Sequence, residues 1–173
     1  MPAIATWWTK SKSNSKRKTT SQEGAVKVRE VMSQNPACCT PTDSAQTVAG
    51  IMRDRNVGAV PVVADQRSHT LIGMITDRDF CCAVVADGLD PKKTTIEKFI
   101  SMNPISCREG ENIEKCERLM QYHQVRRIPV VDSDDKVIGI VSQADLALHD
   151  RPERVSKTVA EISKADRRPS IAA

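Results

Sequence analysis

Apolar and polar positions follow the same pattern twice along the chain. In each copy, apolar residues recur every three or four positions, from Ala45 in the first copy and from Ile113 in the second, which predicts a helix. Two β-branched runs separated by a polar turn come next, which predicts a β-hairpin. The runs are Ala59–Val63 and Leu71–Ile75 in the first copy, and Ile128–Val131 and Val137–Val141 in the second.

The two copies align as an internal repeat. With a shift of 68 residues the Pro-Val-Val run at Pro61 falls on the run at Pro129, and with a shift of 66 Asp79 falls on Asp145. The difference lies in the polar turn of the hairpin, where insertions are tolerated. The chain is therefore predicted to be a tandem duplication of a unit of roughly 50 residues.

Each unit has the predicted order β-α-β-β-α. A short strand (Ala37–Thr40; Ile105–Cys107) precedes the first helix, and a second helix starts near Asp77 and Gln143. One unit alone buries little of its sheet, whereas two units packed sheet to sheet, with helices outside, bury a core fit for ~120 residues. The predicted fold class is α/β of the α+β type, with pseudo-two-fold symmetry between two tandem repeats.

The net charge of the chain is confined to one end. Residues 1–24 hold five basic residues and one acid, which equals the whole formal net charge of +4. We therefore predict a disordered basic tail there. The rest of the chain has equal numbers of basic and acidic residues, which does not indicate a nucleic-acid-binding domain. The tail includes Trp7 and Trp8, and its contact with RNA, an anionic membrane or a protein stays open beside a solubilising role. The other predicted boundaries are 25–86 (first repeat), 87–95 (linker), 96–149 (second repeat) and 150–173 (charged tail, partly helical).

Several function classes have no local signature in the sequence. The seven glycines never lie closer than eight residues, which excludes a Rossmann fingerprint and a phosphate-binding P-loop. There is no Cys-x-x-Cys or His-x-x-x-His pair for zinc and no evident nucleophile beside a histidine, so we predict no enzyme. No run approaches the ~18 apolar residues of a membrane span, and no secretory signal is present. A cytoplasmic protein without membrane contact is predicted.

The six cysteines favour buried packing over disulfides. Cys38-Cys39 and Cys81-Cys82 are adjacent pairs within apolar runs. Cys39 and Cys107 occupy equivalent positions on the two short strands, so we expect repeat packing to bring them near each other. A redox or metal role for the cysteines, with His123 or His149 nearby, stays open.

A polar cluster follows each hairpin, with the form Gly-h-h-Thr/Ser-x-x-Asp, where h is apolar. Thr76 or Ser142 lies at the strand end, and Asp79 or Asp145 follows three residues later on the same helical face. One interpretation is a capping box alone. The other adds a ligand, because a helix N-terminus favours anions and a carboxylate accepts hydrogen bonds from vicinal hydroxyls. Together these features suit a ribose phosphate.

With these marks the chain resembles a tandem pair of CBS (cystathionine β-synthase) domains, the Bateman module, over about residues 26–148. The matching marks are the Asn-Pro entries at Asn35 and Asn103, the Pro-Val-Val strand and the closing Thr/Ser-x-x-Asp, each present in both copies in register. Ile72–Phe80, with the Gly-Leu-Asp-Pro linker after it, also resembles stand-alone bacterial CBS-pair proteins of the hypoxic-response type.

The resemblance implies a non-enzymatic regulatory module that binds an adenosine-containing ligand and signals in trans, without a cofactor. AMP, ADP, ATP, NAD and S-adenosylmethionine are the implied ligands, held in a cleft between the repeats. It implies that Asp79 and Asp145 hold ribose and that Thr76 and Ser142 face phosphate. A homodimer through the repeat helices and an unknown protein partner are implied as well.

The resemblance also implies where the adenine and the phosphates lie. Adenine is expected against backbone of the second strand, crossed with the end of the first. These positions are Gly58, Ala59, Val60 and Pro61 with Thr40, or Arg126, Arg127, Ile128 and Pro129 with Ser106 and Cys107. Arg78, Arg126 and Arg127 are the implied phosphate partners, because a guanidinium matches phosphate oxygens.

The two copies differ at the helix start that follows the hydroxyl. The first has Asp77-Arg78 where the second has Gln143-Ala144, so we expect two unequal sites. The extra carboxylate of Asp77 is expected to weaken phosphate binding beside Thr76 and Asp79. The alternative function is a protein-interaction or redox- or metal-responsive CBS module whose cleft is vestigial.

Overall fold

The computed structural model of the protein describes residues 26–164. The predicted tail at residues 1–24 lies outside the described residues. Helices and strands alternate through two similar units, and the α+β fold class is confirmed. The first unit contains α1 (Val28–Val31), β1 (Ser33–Gln34), α2 (Ala45–Arg55), β2 (Ala59–Val63), β3 (Leu71–Thr76) and α3 (Asp77–Phe80). The second contains β4 (Ser101–Met102), β5 (Cys107–Arg108), α4 (Ile113–His123), β6 (Arg127–Val131), β7 (Val137–Ser142), α5 (Gln143–His149) and α6 (Pro152–Ile162).

Two shorter helical segments complete the path. A π-helical turn, Cys81–Val85, continues α3, and a 3-10 turn, Ile96–Phe99, leads into the second unit. The predicted helix starts at Asp77 and Gln143 are confirmed, because a polar cap stands before each of them. Each predicted hairpin is also present, with β3 one residue longer than expected at Thr76.

The central strands are buried on both faces. Every residue of β2 is buried; Val60 and Val62 belong to the first hydrophobic core, while Ala59, Pro61 and Val63 alternate to the opposite face. The hairpin turns of the two units meet, since Leu71 N–H donates to Asp135 O (3.0 Å) and Val137 N–H donates to His69 O (2.9 Å). This reciprocal pairing reflects the predicted pseudo-two-fold symmetry.

The units exchange their entry strands, which the sequence pattern did not predict. Strand β1 lies near the start of the first unit but pairs with β7 of the second, and β4 opens the second unit but pairs with β3 of the first. The resulting sheet orders are β1-β7-β6-β5 and β2-β3-β4. A strand of two residues is too short to show an alternation of apolar and polar positions. The exchange of β1 and β4 is therefore visible only in the assembled sheets.

Glycine permits the close approach of each exchanged strand. A Cβ placed on Gly73 would lie 2.2 Å from Cγ2 of Ile100 and 3.2 Å from the carbonyl oxygen of Ser101. A Cβ on Gly139 would lie 2.5 Å from Sδ of Met32. The two glycines are repeat-equivalent, so both exchanges depend on the same absence of a side chain.

Each unit has its own hydrophobic core between its sheet and its helices. The first core contains Cys39, Ala45, Val48, Met52, Val60, Val62, Ile75, Phe80, Val84 and Ile96. The second contains Val28, Val31, Cys107, Ile113, Cys116, Met120, Ile128, Val130, Val141, Leu146 and Ile162. The second core also includes Val28 and Val31 of α1, from the start of the first unit, and Ile162 of α6. Within the described part of the chain, no helix combines the length and apolarity needed to cross a membrane.

Candidate functional site

The polar cluster of the second unit forms a capping box at the start of α5. Ser142 N–H and Ser142 Oγ–H both donate to Asp145 Oδ2 at 2.7 Å, and Asp145 N–H donates back to Ser142 Oγ at 3.2 Å. Two amide groups at the helix start are thereby satisfied. Both side chains are half-buried.

The first unit repeats this geometry at the start of α3. Thr76 N–H and Oγ1–H donate to Asp79 Oδ2 at 2.7 Å, and Asp79 N–H donates to Thr76 Oγ1 at 3.4 Å. The residue before the first hairpin strand is held against each box. Asp77 N–H donates to Gly58 O (3.2 Å), just before β2, and Gln143 N–H donates to Arg126 O (2.9 Å), just before β6. Both units therefore form the capping box, which either interpretation of the motif requires.

Capping uses only one oxygen of each carboxylate. Within residues 26–164, Oδ1 of Asp145 and Oδ1 of Asp79 accept no hydrogen bond. An ionised carboxylate oxygen accepts more than one hydrogen bond, so each box leaves acceptor capacity for a hydroxyl or amine donor. Capping and ligand binding are thus compatible at the same side chain.

The capping box of the second unit opens into a cleft of about 390 Å³ between the repeats. Both units supply its lining. The first unit and its entry segment contribute Ser33, Asn35, Pro36, Ala37, Arg55, Asn56, Val57 and Ala59, and the second contributes Arg127, Ile140, Ser142, Ala144 and Asp145. The exchange of β1 into the second sheet carries the Asn35-Pro36-Ala37 segment to this position.

Left-handed backbone shapes two parts of the cleft wall. Asn35 has φ of 49°, and Asn56, which caps the C-terminus of α2, has φ of 52°. Asparagine tolerates this region better than most residues with a side chain. The sharp turn at Asn56 directs the chain from the end of α2 into β2, so Val57 and Ala59 also face the cleft.

Two arginines give the cleft its positive charge. Arg55 lies in the last turn of α2 and Arg127 is the first residue of β6. Among the residues that the structure describes, neither guanidinium forms an ion pair or a hydrogen bond. The cleft therefore combines one carboxylate, Asp145, with two guanidinium groups that retain their donors.

The predicted binding residues occupy different places relative to this cleft. Four of them line it: Ala59, Arg127, Ser142 and Asp145. Three others, Thr76, Arg78 and Asp79, lie together at the start of α3, with the carbonyl of Gly58 beside them. Their ligand roles remain predictions.

The remaining predicted residues do not line the cleft. The strand residues Val60, Pro61, Ile128 and Pro129 are buried, and so is Cys107. Thr40 is bound to Asp43, to whose Oδ2 its amide (2.7 Å) and its hydroxyl (3.1 Å) donate. Ser106 is half-buried and Arg126 is exposed. Any contact of the buried residues with a ligand would have to use backbone atoms.

Sequence reasoning missed Arg55 and the entry residues Asn35, Pro36 and Ala37. The Asn-Pro entry was recognised as a mark of the repeat, and yet its place in the cleft depends on the strand exchange. Arg55 ends a helix whose polar face is rich in charge, so nothing in the sequence sets it apart from Arg53. Arg53 is instead paired with Asp54 at 2.8 Å.

The start of α3 carries the extra acid that the sequence predicted. A Cβ on Gly58 would lie 2.9 Å from Asp77 Oδ2 and 3.6 Å from an Nη of Arg127, so glycine leaves room for both groups. Arg127 therefore lies between the capping box of the first unit and the cleft that contains Asp145. The two capping boxes differ in charge because the second unit has Gln143 in place of Asp77.

The cysteines are separated by the fold. Cys39 lies in the first core, where its thiol donates to Pro61 O at 3.7 Å, while Cys107 lies in the second core next to Cys116. The expectation that repeat packing brings Cys39 and Cys107 together is wrong, because each cysteine pairs within its own unit. The predicted strand at 37–40 is reduced to a single bridge between Cys39 and Val62 of β2, while Cys107 of β5 pairs with Val130 of β6. Burial raises the pKa of Cys39 to about 12 and that of Cys38 to about 11. These two thiols are poor nucleophiles at neutral pH.

Among residues 26–164, no group of three or more His, Cys, Asp or Glu is placed to hold a metal ion. All six cysteines are free thiols.

We expect the capping hydroxyl of Ser142 to contribute measurably to stability without any ligand. Replacement by alanine leaves the amide of Asp145 without its acceptor and should lower the free energy of unfolding by about 1 kcal/mol. Ser142→Thr keeps the hydroxyl and serves as the control. Urea denaturation measures both variants, and an Ala variant as stable as the Thr variant would contradict the role of the box.

Comparison with known proteins identifies the duplicated unit. The CBS domain family matches the chain twice, at residues 28–86 and 96–150. Among curated proteins, YlbB of Bacillus subtilis (strain 168) is 36% identical over 147 residues, which is 83% of this chain and 95% of that protein.

Solved structures agree in sequence and in shape. The crystal structure of Hypoxic Response Protein I with two coordinated zinc ions has a TM-score of 0.64 and 31% identity, over 72% of this chain and 98% of that one. The CBS domain pair of protein MJ0100, in complex with 5'-methylthioadenosine and S-adenosyl-L-methionine, has a TM-score of 0.64 and 27% identity, over 72% and 95% of the two chains.

Proposed function

The chain belongs to the CBS domain family, and on that premise we propose that it is a non-catalytic sensor that binds a phosphorylated adenosine such as AMP or ADP. The proposed site is the cleft of Asp145, and the signal passes in trans to a partner protein. One observation carries the proposal: a carboxylate with an unused oxygen shares a cleft with two guanidinium groups that have no partner among the described residues.

Each group in the cleft suits one part of such a ligand. Asp145 Oδ1 accepts hydrogen bonds from ribose hydroxyls, while Arg55 and Arg127 donate to phosphate oxygens. The α5 N-terminus beside Ser142 adds a favourable field for an anion. Ala37, Val57 and Ile140 offer apolar surface for the faces of an adenine ring. A cleft of about 390 Å³ has the size range of small-molecule sites.

The family comparison supports an adenosine compound and a regulatory role. CBS pairs generally act as regulatory modules rather than as catalysts, and the CBS pair of MJ0100 is solved with two adenosine derivatives. S-adenosylmethionine offers no phosphate to the two arginines, whereas NAD carries a diphosphate. Both therefore serve as comparison ligands in binding experiments.

Three further features belong to the proposal. We place the protein in the reducing cytoplasm, in keeping with its six free thiols. We also propose a homodimer through the repeat helices, of which α2 and the Cys81–Val85 turn carry exposed residues such as Val85. A binding event that changes the angle between the repeats would alter this interface and so reach the partner protein.

The two arginines provide the test of the phosphate assignment. We expect AMP to bind wild-type protein in isothermal titration calorimetry, and Arg55→Ala with Arg127→Ala to weaken that binding by at least about tenfold, since charge-assisted hydrogen bonds contribute about 1.5–3 kcal/mol each. Adenosine, which has no phosphate, should bind the wild type and the double variant equally.

Arg53→Ala is the matched control, because Arg53 lies on the same helix but is paired with Asp54 outside the cleft. It should leave AMP affinity unchanged. Absence of AMP, ADP and adenosine binding by the wild type would contradict the proposed function. Equal loss of AMP and adenosine in the double variant would contradict only the phosphate role of the arginines.

A further inference from the structure

Helix α6 follows the second repeat and is packed against it. It lies beyond residues 96–150, the second segment matched by the CBS family, and contacts α4 and α5. The contact is polar at its centre, where Glu117 of α4 is 2% exposed and Thr158 of α6 is fully buried. The repeat-equivalent of Glu117 in the first unit is Ala49, which is exposed. An acid is therefore buried where α6 covers the repeat helix.

One guanidinium serves three carboxylates in this contact. Arg154 of α6 lies 3.0 Å from Asp150 Oδ1 and 3.9 Å from Glu117 Oε2, and it also pairs with Glu114. The hydroxyl of Thr158 lies 3.5 Å from Glu117 Oε1. A buried carboxylate with a single distant cation is costly in its ionised form.

Asp150 supplies the second, independent observation. Its side chain is 5% exposed, and Oδ1 accepts a hydrogen bond from Arg151 N–H (2.7 Å) and forms an ion pair with Arg154 (3.0 Å). Oδ2 is buried and has no hydrogen-bond partner in the described part of the chain. Arg154 lies within 4 Å of both Asp150 Oδ1 (3.0 Å) and Glu117 Oε2 (3.9 Å), so the two buried carboxyl groups share one guanidinium. A proton on Glu117 would give the unpartnered oxygen of Asp150 a donor.

We propose that α6 is a pH-sensitive clasp, held on α4 by a proton shared between Glu117 and Asp150 and released when that proton is lost. The protonated Glu117 donates to Asp150 Oδ2, which leaves a single negative charge on these two carboxyl groups beside Arg154. Loss of the proton to solvent places two buried carboxylates in contact, and separation of α6 from α4 relieves their repulsion.

The neighbouring groups set the direction of the pH response. Desolvation, and then the contact with Asp150, raises the pKa of Glu117 to about 7, while Arg154 and Thr158 act in the opposite direction. Among residues 26–164, Asp150 at the end of α5 and Arg154 on α6 are the charged groups that act on it. Of the other elements packed on α4, α1 and β6 contribute the apolar Val28 and Ile128 to the shared core.

The direction in which pH changes the closure of α6 follows from the number of protons that each state binds. With α6 released, Glu117 regains a pKa near the ordinary value of about 4.3, so the closed state binds more protons between that value and about 7. Closure is therefore strongest at low pH and weakens as pH rises through this interval. The opening equilibrium constant of α6 should rise roughly tenfold between about pH 6 and about pH 8.

Release of α6 has a defined structural consequence. Gln124 Nε2 donates to Lys164 O at 3.0 Å, immediately after α6 ends. Gln124 caps the C-terminus of α4. It is the repeat-equivalent of Asn56, which lines the cleft of Asp145. Opening the clasp therefore frees the loop that leads into Arg126 and Arg127.

Hydrogen exchange of the full chain without ligand tests the clasp. After correction for intrinsic exchange rates, α6 amides should show the roughly tenfold rise in opening between about pH 6 and about pH 8, while amides of α2 should not. Glu117→Gln carries a permanent donor for Asp150 Oδ2, so it should abolish the rise. Glu114→Gln, three residues away on the same helix and bound to the same Arg154, should retain it.

A second variant keeps the test decisive if Glu117→Gln does not fold. Asp150→Asn removes the neighbouring carboxylate and offers an amide donor to ionised Glu117, so the rise should be clearly smaller than in the wild type. A pH-independent α6 in the wild type would overturn the proposal. So would a full rise that persists in a folded Glu117→Gln or Asp150→Asn variant.

Discussion

Gly73→Ala should lower the free energy of unfolding by about 3 kcal/mol, near the upper end of the cost of overpacking a dense core. The added Cβ would lie 2.2 Å from Cγ2 of Ile100, a β-branched side chain, and 3.2 Å from the backbone oxygen of Ser101. Neither neighbour is the far end of a flexible side chain. Strand β4 must therefore move away from β3, which disrupts the exchange that connects the two units.

Gly50→Ala is the matched control for this change. A Cβ on Gly50 meets nothing within 4 Å, and Gly50 lies inside α2, where alanine is the better helix former. We expect a gain of about 0.5–1 kcal/mol in that variant. Urea denaturation at fixed protein concentration measures both changes.

A double-mutant cycle with Ile100→Ala isolates the contact. Shortening Ile100 removes the atom that clashes, so the double variant should be more stable than the sum of the single changes predicts, by at least about 1 kcal/mol. If Gly73→Ala proved as harmless as Gly50→Ala, or if the two changes were additive, the strand exchange at this position would be ruled out.

Asp145→Ala should abolish the stabilisation that AMP gives to the wild-type protein. A ligand at 100 times its dissociation constant adds about 2.7 kcal/mol to stability, and this increment requires the carboxylate that receives the ribose hydroxyls. The same variant loses the capping box and about 1 kcal/mol without any ligand. The expected result is a less stable protein whose melting temperature no longer depends on AMP.

Asp79→Ala distinguishes the cleft of Asp145 from its repeat-equivalent. It removes the same box from the first unit, where Asp77 adds negative charge, and it should lose similar basal stability while keeping its response to AMP. Thermal unfolding across an AMP titration measures both quantities. If Asp79→Ala alone removed the response, the nucleotide would be assigned to the first unit instead.

Local regularities explain which features the sequence predicted correctly. The hairpins β2–β3 and β6–β7 follow from β-branched runs, and the starts of α3 and α5 follow from a hydroxyl and an aspartate three residues apart. The capping box closes within one helical turn, so its geometry depends on local sequence alone. Ser142 and Asp145 could therefore be assigned to one corner of the fold before any coordinates.

Contacts between distant segments explain the misses. The sequence placed Cys39 near Cys107 because the two are repeat-equivalent, and yet equivalence under a pseudo-two-fold relates positions without making them neighbours. Each cysteine lies in its own core. Arg55 was overlooked because only the junction of α2 with the exchanged entry strand turns an ordinary helix-end arginine into a cleft residue.

The amino-acid sequence by itself determined the duplicated β-α-β-β-α unit and the polar cap at the start of each closing helix, because hydrophobic periodicity and i to i+3 hydrogen bonds are set by neighbours in the chain. Only the tertiary structure decided which segments share the cleft and how α6 buries Glu117 against Asp150. Those arrangements depend on which strand edge and which helix face the folded chain leaves open for a distant segment to cover.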